Sequence, residues 1–511
     1  MTSILFPDGL SGTSVPLEDR RFAIDLNLDQ VFAAVTAGRE QLDLLSLFYS
    51  PLNDIDGVTY RHEVLRDLER PAVLAAVRAF GQAMSGVREL LATVSSLHNR
   101  WQQARVFVDA VSAYCEGVTS LALALTDVRP DARALRAFTA HICDYQSSER
   151  FRGLVEEAGE VVSALSTVRY TLHIRGNRVT VSSYQGEPDY AQEVEKVFAR
   201  FREGPTKDYR ATFRGPLAMN WVEGQVLDLV AQHNPGPFGA LEQYFSDHRV
   251  FVDAGVKAFD RDCQFYLAYL EFIDPLRAAG LRFCYPRLSL SPGAVKATAV
   301  FDLALAARAT SPGRAGSGIV TNDFDLGPGE RVMVVTGPNN GGKTTFARAV
   351  GQVHYLAALG LPVPAEQADL VLVDGVFTSF VQAEKLGTMR SHLEDELVSL
   401  YDVVHHASAR SVIVMNESFS STTLRDAALV GKAVLAQLAA RGPLCLFVTF
   451  IDELATAGEN TVSLVATVDP DDPVVRTYKV LRKAPEGRAY AEALAEHYGL
   501  TTRAVEERVA R

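Results

Sequence analysis

Up to about residue 290 the apolar positions recur at helical spacing. Val73, Leu74 and Val77 lead into Phe80 and Met84, and the Ala- and Leu-rich stretch 111–125 repeats the pattern. Turn formers such as Asp127-Val-Arg-Pro130 interrupt these runs. One segment follows a different period. Residues 169–184 alternate in polarity about Gly176-Asn177, which predicts a β-hairpin closed by a two-residue turn, and the polar stretch 185–189 leads back into helix. From about residue 295 short apolar runs alternate with helical patterns, most clearly at 331–336, 411–415 and 444–449. This alternation predicts a layered α/β domain with a largely parallel sheet. Residues 307–316, rich in small residues and turn formers, read as an exposed loop, and 284–292, with Pro286 and Pro292, as the entry to the second domain. The expected organisation is a short N-terminal segment (1–24), a mainly helical domain (25–290) carrying the hairpin at about 169–184, and an α/β domain (295–511).

Composition narrows this picture only a little. A chain of 511 residues, 48% hydrophobic and 22% charged, has the make-up of a globular protein with sizeable cores. A net charge of −12 argues against coating nucleic acid by bulk charge, but leaves room for a local basic face. Five scattered cysteines (Cys115, Cys143, Cys263, Cys284, Cys445) form no C-x-x-C pair and fit reduced thiols. Residues 1–16 lack a basic region followed by an apolar run, and no stretch of about 18 uninterrupted apolar residues occurs. The expectation is a cytoplasmic protein without a membrane partner.

The chemistry concentrates in the α/β half. The β-branched run 331–336 is followed at once by Gly337-Pro-Asn-Asn-Gly-Gly-Lys-Thr344 and then by helical spacing from Phe346 to Leu359. Strand, glycine loop and helix are the context a phosphate-binding P-loop requires. Gly337, Gly341 and Gly342 let backbone N–H groups approach phosphates, Lys343 neutralises β/γ oxygens, and Thr344 offers a hydroxyl to Mg²⁺. Gly337, Pro338, Asn339, Asn340, Gly341, Gly342, Lys343, Thr344 and Thr345 are therefore the expected ATP-binding residues. A second strand, 411–415, ends in Asn416-Glu417. Asn416 stands where such sites usually carry a metal-binding Asp, so it is expected to support Mg²⁺ with Thr344, but without negative charge. Glu417 is the expected catalytic group, orienting or deprotonating an attacking water. The pair His405-His406 and the run Arg61-His62-Glu63 lack the further ligands a zinc site needs.

These residues resemble the MutS mismatch-repair ATPases. The resemblance rests on 336–348, on Asn322-Asp323, Gly360-Leu-Pro-Val-Pro364, Asn416-Glu-Ser-Phe-Ser-Ser-Thr-Thr423 and 447–454, in the family's order. It implies an α/β P-loop ATPase domain of the ABC/MutS type that forms a homodimer, each site being completed by the partner. Residues 418–423 would lie near that interface and 387–396 would reach the opposite nucleotide. Residues 25–290 would be the family's core and lever domain, resembled weakly at 48–54 and 60–66. Three departures accompany it. Phe450 stands where the family usually has His, Ser391-His392 stand where it has Ser-Thr, and neither a mismatch-reading Phe-x-Glu near the start nor a following nuclease domain is found.

The same resemblance makes DNA the expected partner. Residues 169–214 hold nine Lys/Arg (Arg169, Arg175, Arg178, Lys196, Arg200, Arg202, Lys207, Arg210, Arg214) against six Asp/Glu. Arg175 and Arg178 flank the hairpin turn, where they could reach phosphates; a solvated surface hairpin is the plainer alternative. The leading expectation is a MutS-like dimer that binds and slowly hydrolyses ATP to control its grip on DNA in repair or recombination. The alternative is a nucleotide-gated dimeric scaffold with little hydrolysis and no DNA binding.

Overall fold

The computed structural model describes residues 3–7, 12–188, 219–291, 293–310, 318–380, 392–419, 421–472 and 475–485. They fall into two compact units: Met1–Glu69, Asp131–Leu135 and Arg261–Arg511 in one, Arg70–Pro130 and Arg136–Asp260 in the other. In chain order the helices of the N-terminal part are α1 (Arg21–Asp25), α2 (Leu28–Thr36), α3 (Leu44–Phe48), α4 (Ile55–Leu68), α5 (Pro71–Ser96), α6 (Arg100–Val128), α7 (Arg133–Ser147) and α8 (Glu149–Ser166). The hairpin strands β1 (Tyr170–Arg175) and β2 (Arg178–Ser183) follow, and then α9 (Trp221–His233), α10 (Pro235–Asp247) and α11 (Ala254–Ala278).

The Arg70–Asp260 unit is helical, as the periodicity predicts. Val73, Val77, Phe80 and Met84 all face inward from α5 and are buried. Only three residues join α5 to α6, so the two helices pack back along each other. By length and composition α6 could cross a membrane, yet 61% of its apolar window is buried within the protein, as in a core helix. Phe107 of α6 sits edge-on to Tyr244, Phe245 and Phe251, with centroids 5.0–6.5 Å away. The hairpin pairs Tyr170 with Ser183 through to Arg175 with Arg178, and Gly176 takes φ +58 at the turn. A positive φ at the first turn residue is what a tight hairpin of this hand demands of glycine. Of the basic residues counted between 169 and 214, Lys196 to Arg214 lie outside the described residues.

The other unit is the α/β one. It comprises β3 (Arg287–Ser289), β4 (Val295–Val300), α12 (Leu303–Ala309), β5 (Asn322–Leu326), β6 (Val332–Thr336), α13 (Lys343–Ala358), β7 (Gln367–Val371), β8 (Val376–Phe380), α14 (His392–His406), β9 (Val412–Asn416), α15 (Leu424–Arg441), β10 (Leu444–Val448), β11 (Thr461–Val468) and β12 (Arg476–Arg482). The main sheet runs β12-β11-β6-β10-β9-β8, parallel except for β12. Every residue of β6, β9 and β10 is buried, the pattern of a parallel sheet covered on both faces. Val332, Val334, Ile413, Met415, Cys445 and Phe447 pack with α14 and α15 on one face. On the other, α13 lies over β9 and β10. Residues 307–309, expected in a loop, instead end α12, because Asp302 caps that helix by accepting from Ala304 and Leu305 N–H.

The single domain boundary expected near residue 290 does not coincide with these units. Residues up to Glu69 share a unit with the α/β sheet, and α13 supplies the reason. Thirteen of its sixteen residues are buried, so the sheet can cover only one of its sides. Much of the rest is covered by α1–α3 and the start of α12, with Arg61 of α4 at its C-terminal end. Gln352 donates to Leu26 O and Asp302 Oδ1 and accepts from Leu303 N–H. Arg348 donates to Asp25 O and Tyr355 to Phe48 O, while a Cβ on Gly351 would come within 2.7 Å of Leu26.

At the far end of α13, Arg61 of α4 is fully buried and donates to Leu359 O at 2.7 Å and Leu5 O at 3.1 Å. Its guanidinium also lies over the rings of Phe6 and Phe265. Replacing Arg61 by Ala leaves two carbonyls without these donors and opens a cavity. Arg61→Ala is expected to lower stability by about 3–5 kcal/mol, read as an earlier urea midpoint.

Candidate functional site

The site forms where β6 ends and α13 begins, at the carboxyl edge of the parallel strands. Gly337 takes φ +118, and a Cβ there would fall 2.6 Å from Ala466 O, so both conformation and space demand glycine. Asn340 at φ +58 and Gly342 at φ +89 complete the turn into the helix. Gly341 N–H donates to Pro338 O, closing the loop on itself. Lys343 is buried and directs its ammonium back across the loop, donating to Gly337 O (2.9 Å), Pro338 O (3.0 Å) and Asn339 Oδ1 (3.4 Å). Burial pushes the Lys343 pKa down; the negative charge of Glu417 opposes this and the positive charge of Arg476 adds to it. Thr345 is half-buried on the first turn of α13.

The second group predicted from sequence comes to the same place. Thr344 Oγ1 donates to Asn416 Oδ1 at 2.8 Å, joining the loop to the end of β9. Glu417 is half-buried, donates its N–H to Val448 O and sits at φ +56. Phe419, two residues on, has φ +67 and is fully buried. Two non-glycine residues in left-handed backbone within three positions are held there by their surroundings. Phe419 N–H donates to Glu396 Oε1 at 2.8 Å, and Phe419 packs edge-on to Phe447. Glu396 thus braces the strand-end turn of its own chain; residues 381–391, including Ser391, lie outside the described residues. Phe450 is 48% exposed just past β10, beside the buried Thr449.

Sequence reading missed the wall formed by β11 and β12. A register shift between Ala466 and Val468 brings Ala466 against Gly337 and Gly341. Tyr478 of β12, at φ +58 and half exposed, sets its ring beside Gly342, where a Cβ would lie 3.5 Å from Cδ1. Arg476 is near enough for its charge to act on Lys343. No motif marks these residues, and 476–482 (Arg-Thr-Tyr-Lys-Val-Leu-Arg) has no sustained alternation to single them out. Asn322 holds β12 there, donating to Tyr478 O (3.1 Å) and accepting from Val480 N–H (2.8 Å). His405 and His406 bond their own helix, to Tyr401 O and Asp402 O, and among the described residues no cluster of three or more His, Cys, Asp or Glu could hold a metal.

A parallel-sheet edge bearing a glycine loop, a buried lysine and a threonine tied to a strand-end Asn-Glu defines a P-loop domain of the nucleotide-binding class. Residues 333–509 match the family model for MutS domain V. The endonuclease MutS2 of Gemmatimonas aurantiaca is 31% identical over 184 residues, which are 35% of this chain and 22% of that protein. The endonuclease MutS2 of Geobacillus kaustophilus is 30% identical over 190 residues, 37% of this chain and 24% of that protein. The similarity therefore spans less than a quarter of the length of these relatives. Over residues 333–509 the chain is similar to the MutS family.

If Asn322 fixes the wall, Asn322→Ala should free the amide of Val480 in an otherwise folded protein. Hydrogen exchange at Val480 is expected to speed up about tenfold or more, the effect of losing at least 1.4 kcal/mol of local protection.

Proposed function

We propose that this protein binds ATP with Mg²⁺ at loop 337–344, hydrolyses it slowly as a homodimer, and uses that cycle to control its grip on DNA. The observation that carries the reading is the Thr344–Asn416 hydrogen bond at the mouth of the loop. A threonine hydroxyl oxygen and an amide oxygen next to a phosphate cradle suit a cation that keeps most of its ligands as water and phosphate. Mg²⁺, when bound, would supply positive charge that offsets charge developing on the phosphates.

In this reading Lys343 turns its ammonium from the loop carbonyls to phosphate oxygens, and the N–H groups of 337–345 surround them. Thr344 and Asn416 hold the cation, with a neutral amide in place of a carboxylate, so affinity for Mg²⁺ is lower than an aspartate would give. Glu417, beside Lys343 and locked by its left-handed backbone, orients the attacking water and accepts its proton. Tyr478 offers a flat surface beside Gly342 for the nucleotide base. Leu424 and Leu429 of α15 are 61% and 72% exposed after the segment 418–423, an apolar surface that a second copy would cover. DNA as the partner draws on the similarity to the MutS family and on Arg169, Arg175 and Arg178, all exposed at the hairpin.

A second reading, a nucleotide-gated scaffold with little turnover, is favoured by Asn416 and by the exposed Phe450, which can hydrogen-bond neither water nor phosphate. The two separate in one set of measurements on the purified protein. Lys343→Ala is expected to weaken Mg²⁺-ATP binding at least about tenfold. Glu417→Gln is expected to keep binding and lose about 100-fold or more in turnover. Gel shifts on duplex, mismatched and branched DNA should show binding that falls steeply with salt. Absence of a shift at low salt, with and without nucleotide, would leave the scaffold; ATP binding untouched by Lys343→Ala would remove both readings.

A further inference from the structure

The hairpin carries a feature that neither the nucleotide site nor its arginines explain. Residues paired across the two strands share a face, so Tyr170, Leu172 and Ile174 line up with Val179, Val181 and Ser183. The opposite face carries Thr171, His173, Arg175, Arg178, Thr180 and Ser182. The apolar face is covered along β2 and bare along β1. β2 packs against α9, and Val181 is 8% exposed. On β1, Leu172 is 43% exposed and Ile174, nearest the turn, is 71% exposed. Nothing lies within 4 Å of where a Cβ on Gly176 would be. A β-branched side chain is thus displayed at the end of a two-stranded ribbon about 20 Å long, at six residues and roughly 3.4 Å each.

What surrounds Ile174 indicates the partner. Arg175 and Arg178 form the terminal pair of the hairpin, and among the described residues neither side chain has a hydrogen-bond or ion-pair partner. Residues 169–187 hold three arginines and one acidic residue, Glu187, which sits back at the root near Gln185 and His173. The tip therefore joins an apolar wedge, two free guanidinium groups and an asparagine, Asn177. Proteins that kink duplex DNA from the minor groove use this combination: an aliphatic side chain enters between base pairs while Arg and Asn meet the groove floor and its phosphates. A lipid surface would also attract the arginines, but the short exposed row of Tyr170, Leu172 and Ile174 buries too little apolar area to hold a domain at a bilayer.

We propose that the β1–β2 tip enters the minor groove of duplex DNA, with Ile174 as a wedge that unstacks one base step and Arg175 and Arg178 on the flanking phosphates. This rests on the DNA reading above and adds to it a mode of contact: the DNA is bent where the hairpin enters, and flexible pyrimidine–purine steps are preferred because they unstack at least cost.

The test uses the full chain and duplexes labelled at both ends for energy transfer, carrying a single central TA step or a stiff A-tract. Wild-type protein is expected to bring the ends together, by a bend within the roughly 20–90° range of wedge insertion, and more on the TA duplex. Ile174→Ala and Ile174→Asn should still bind, with an unchanged slope of log affinity against log salt, but lose the bend; Ile174→Leu should restore it. Arg175→Ala combined with Arg178→Ala should make that slope shallower by about 2, one phosphate contact per arginine. All three positions are exposed, so these variants keep the fold. If wild-type protein binds DNA and the bend survives Ile174→Asn, the wedge is wrong while the DNA reading stands. No binding at low salt overturns both. Sedimentation with anionic phospholipid vesicles that depends on Ile174, with bending that does not, overturns the wedge in favour of a membrane contact.

Discussion

Helix α13 is buried on nearly every side, so each of its faces has to be covered by another element. The parallel sheet meets one flank. Much of the remaining flank recruits α1–α3, more than 270 residues earlier in the chain, through Leu26 against Gly351 and through the buried hydrogen bonds of Gln352, Arg348 and Tyr355. Lys343 and Thr344, at the first turn of α13, therefore belong to the same rigid rod as Leu359, whose carbonyl Arg61 holds at the other end. A helix packed this closely cannot shift at one end alone, since protein interiors respond to displacement as solids do.

Around the loop the backbone is held in uncommon conformations by interactions that converge from several elements. Asn340, Glu417, Phe419 and Tyr478 are all non-glycine residues at positive φ. Each costs of order 1 kcal/mol or more, and such residues persist where the surroundings over-determine them. Here Glu396 fixes Phe419, Val448 fixes Glu417, and Asn322 fixes the strand that carries Tyr478. The outcome is a loop mouth whose polar groups are held in place by contacts from several elements.

Much of this was legible in the residues themselves. A β-branched run, three glycines, Lys343 and Thr344 dictate strand, loop and helix because phosphate binding admits few local solutions. Alternation about Gly176-Asn177 dictates a hairpin because side chains in a strand alternate faces. The helical spacing from Phe346 to Leu359 likewise announced the helix α13. It did not announce what would cover it, and the boundary expected near residue 290 therefore divides the chain differently from its packing.

Local sequence determined the phosphate loop, the strand-end Asn416-Glu417 and the helical character of the first half, since each follows from backbone sterics and periodicity over a few residues. Tertiary structure alone decided that Thr344 meets Asn416, that Tyr478 and Arg476 wall the loop, that Glu396 braces Phe419, and that Ile174 stands bare while Val181 is covered. Those are contacts between segments distant in the chain or differences in burial between neighbours on one face. They are set by how the elements pack, which no single stretch of residues encodes.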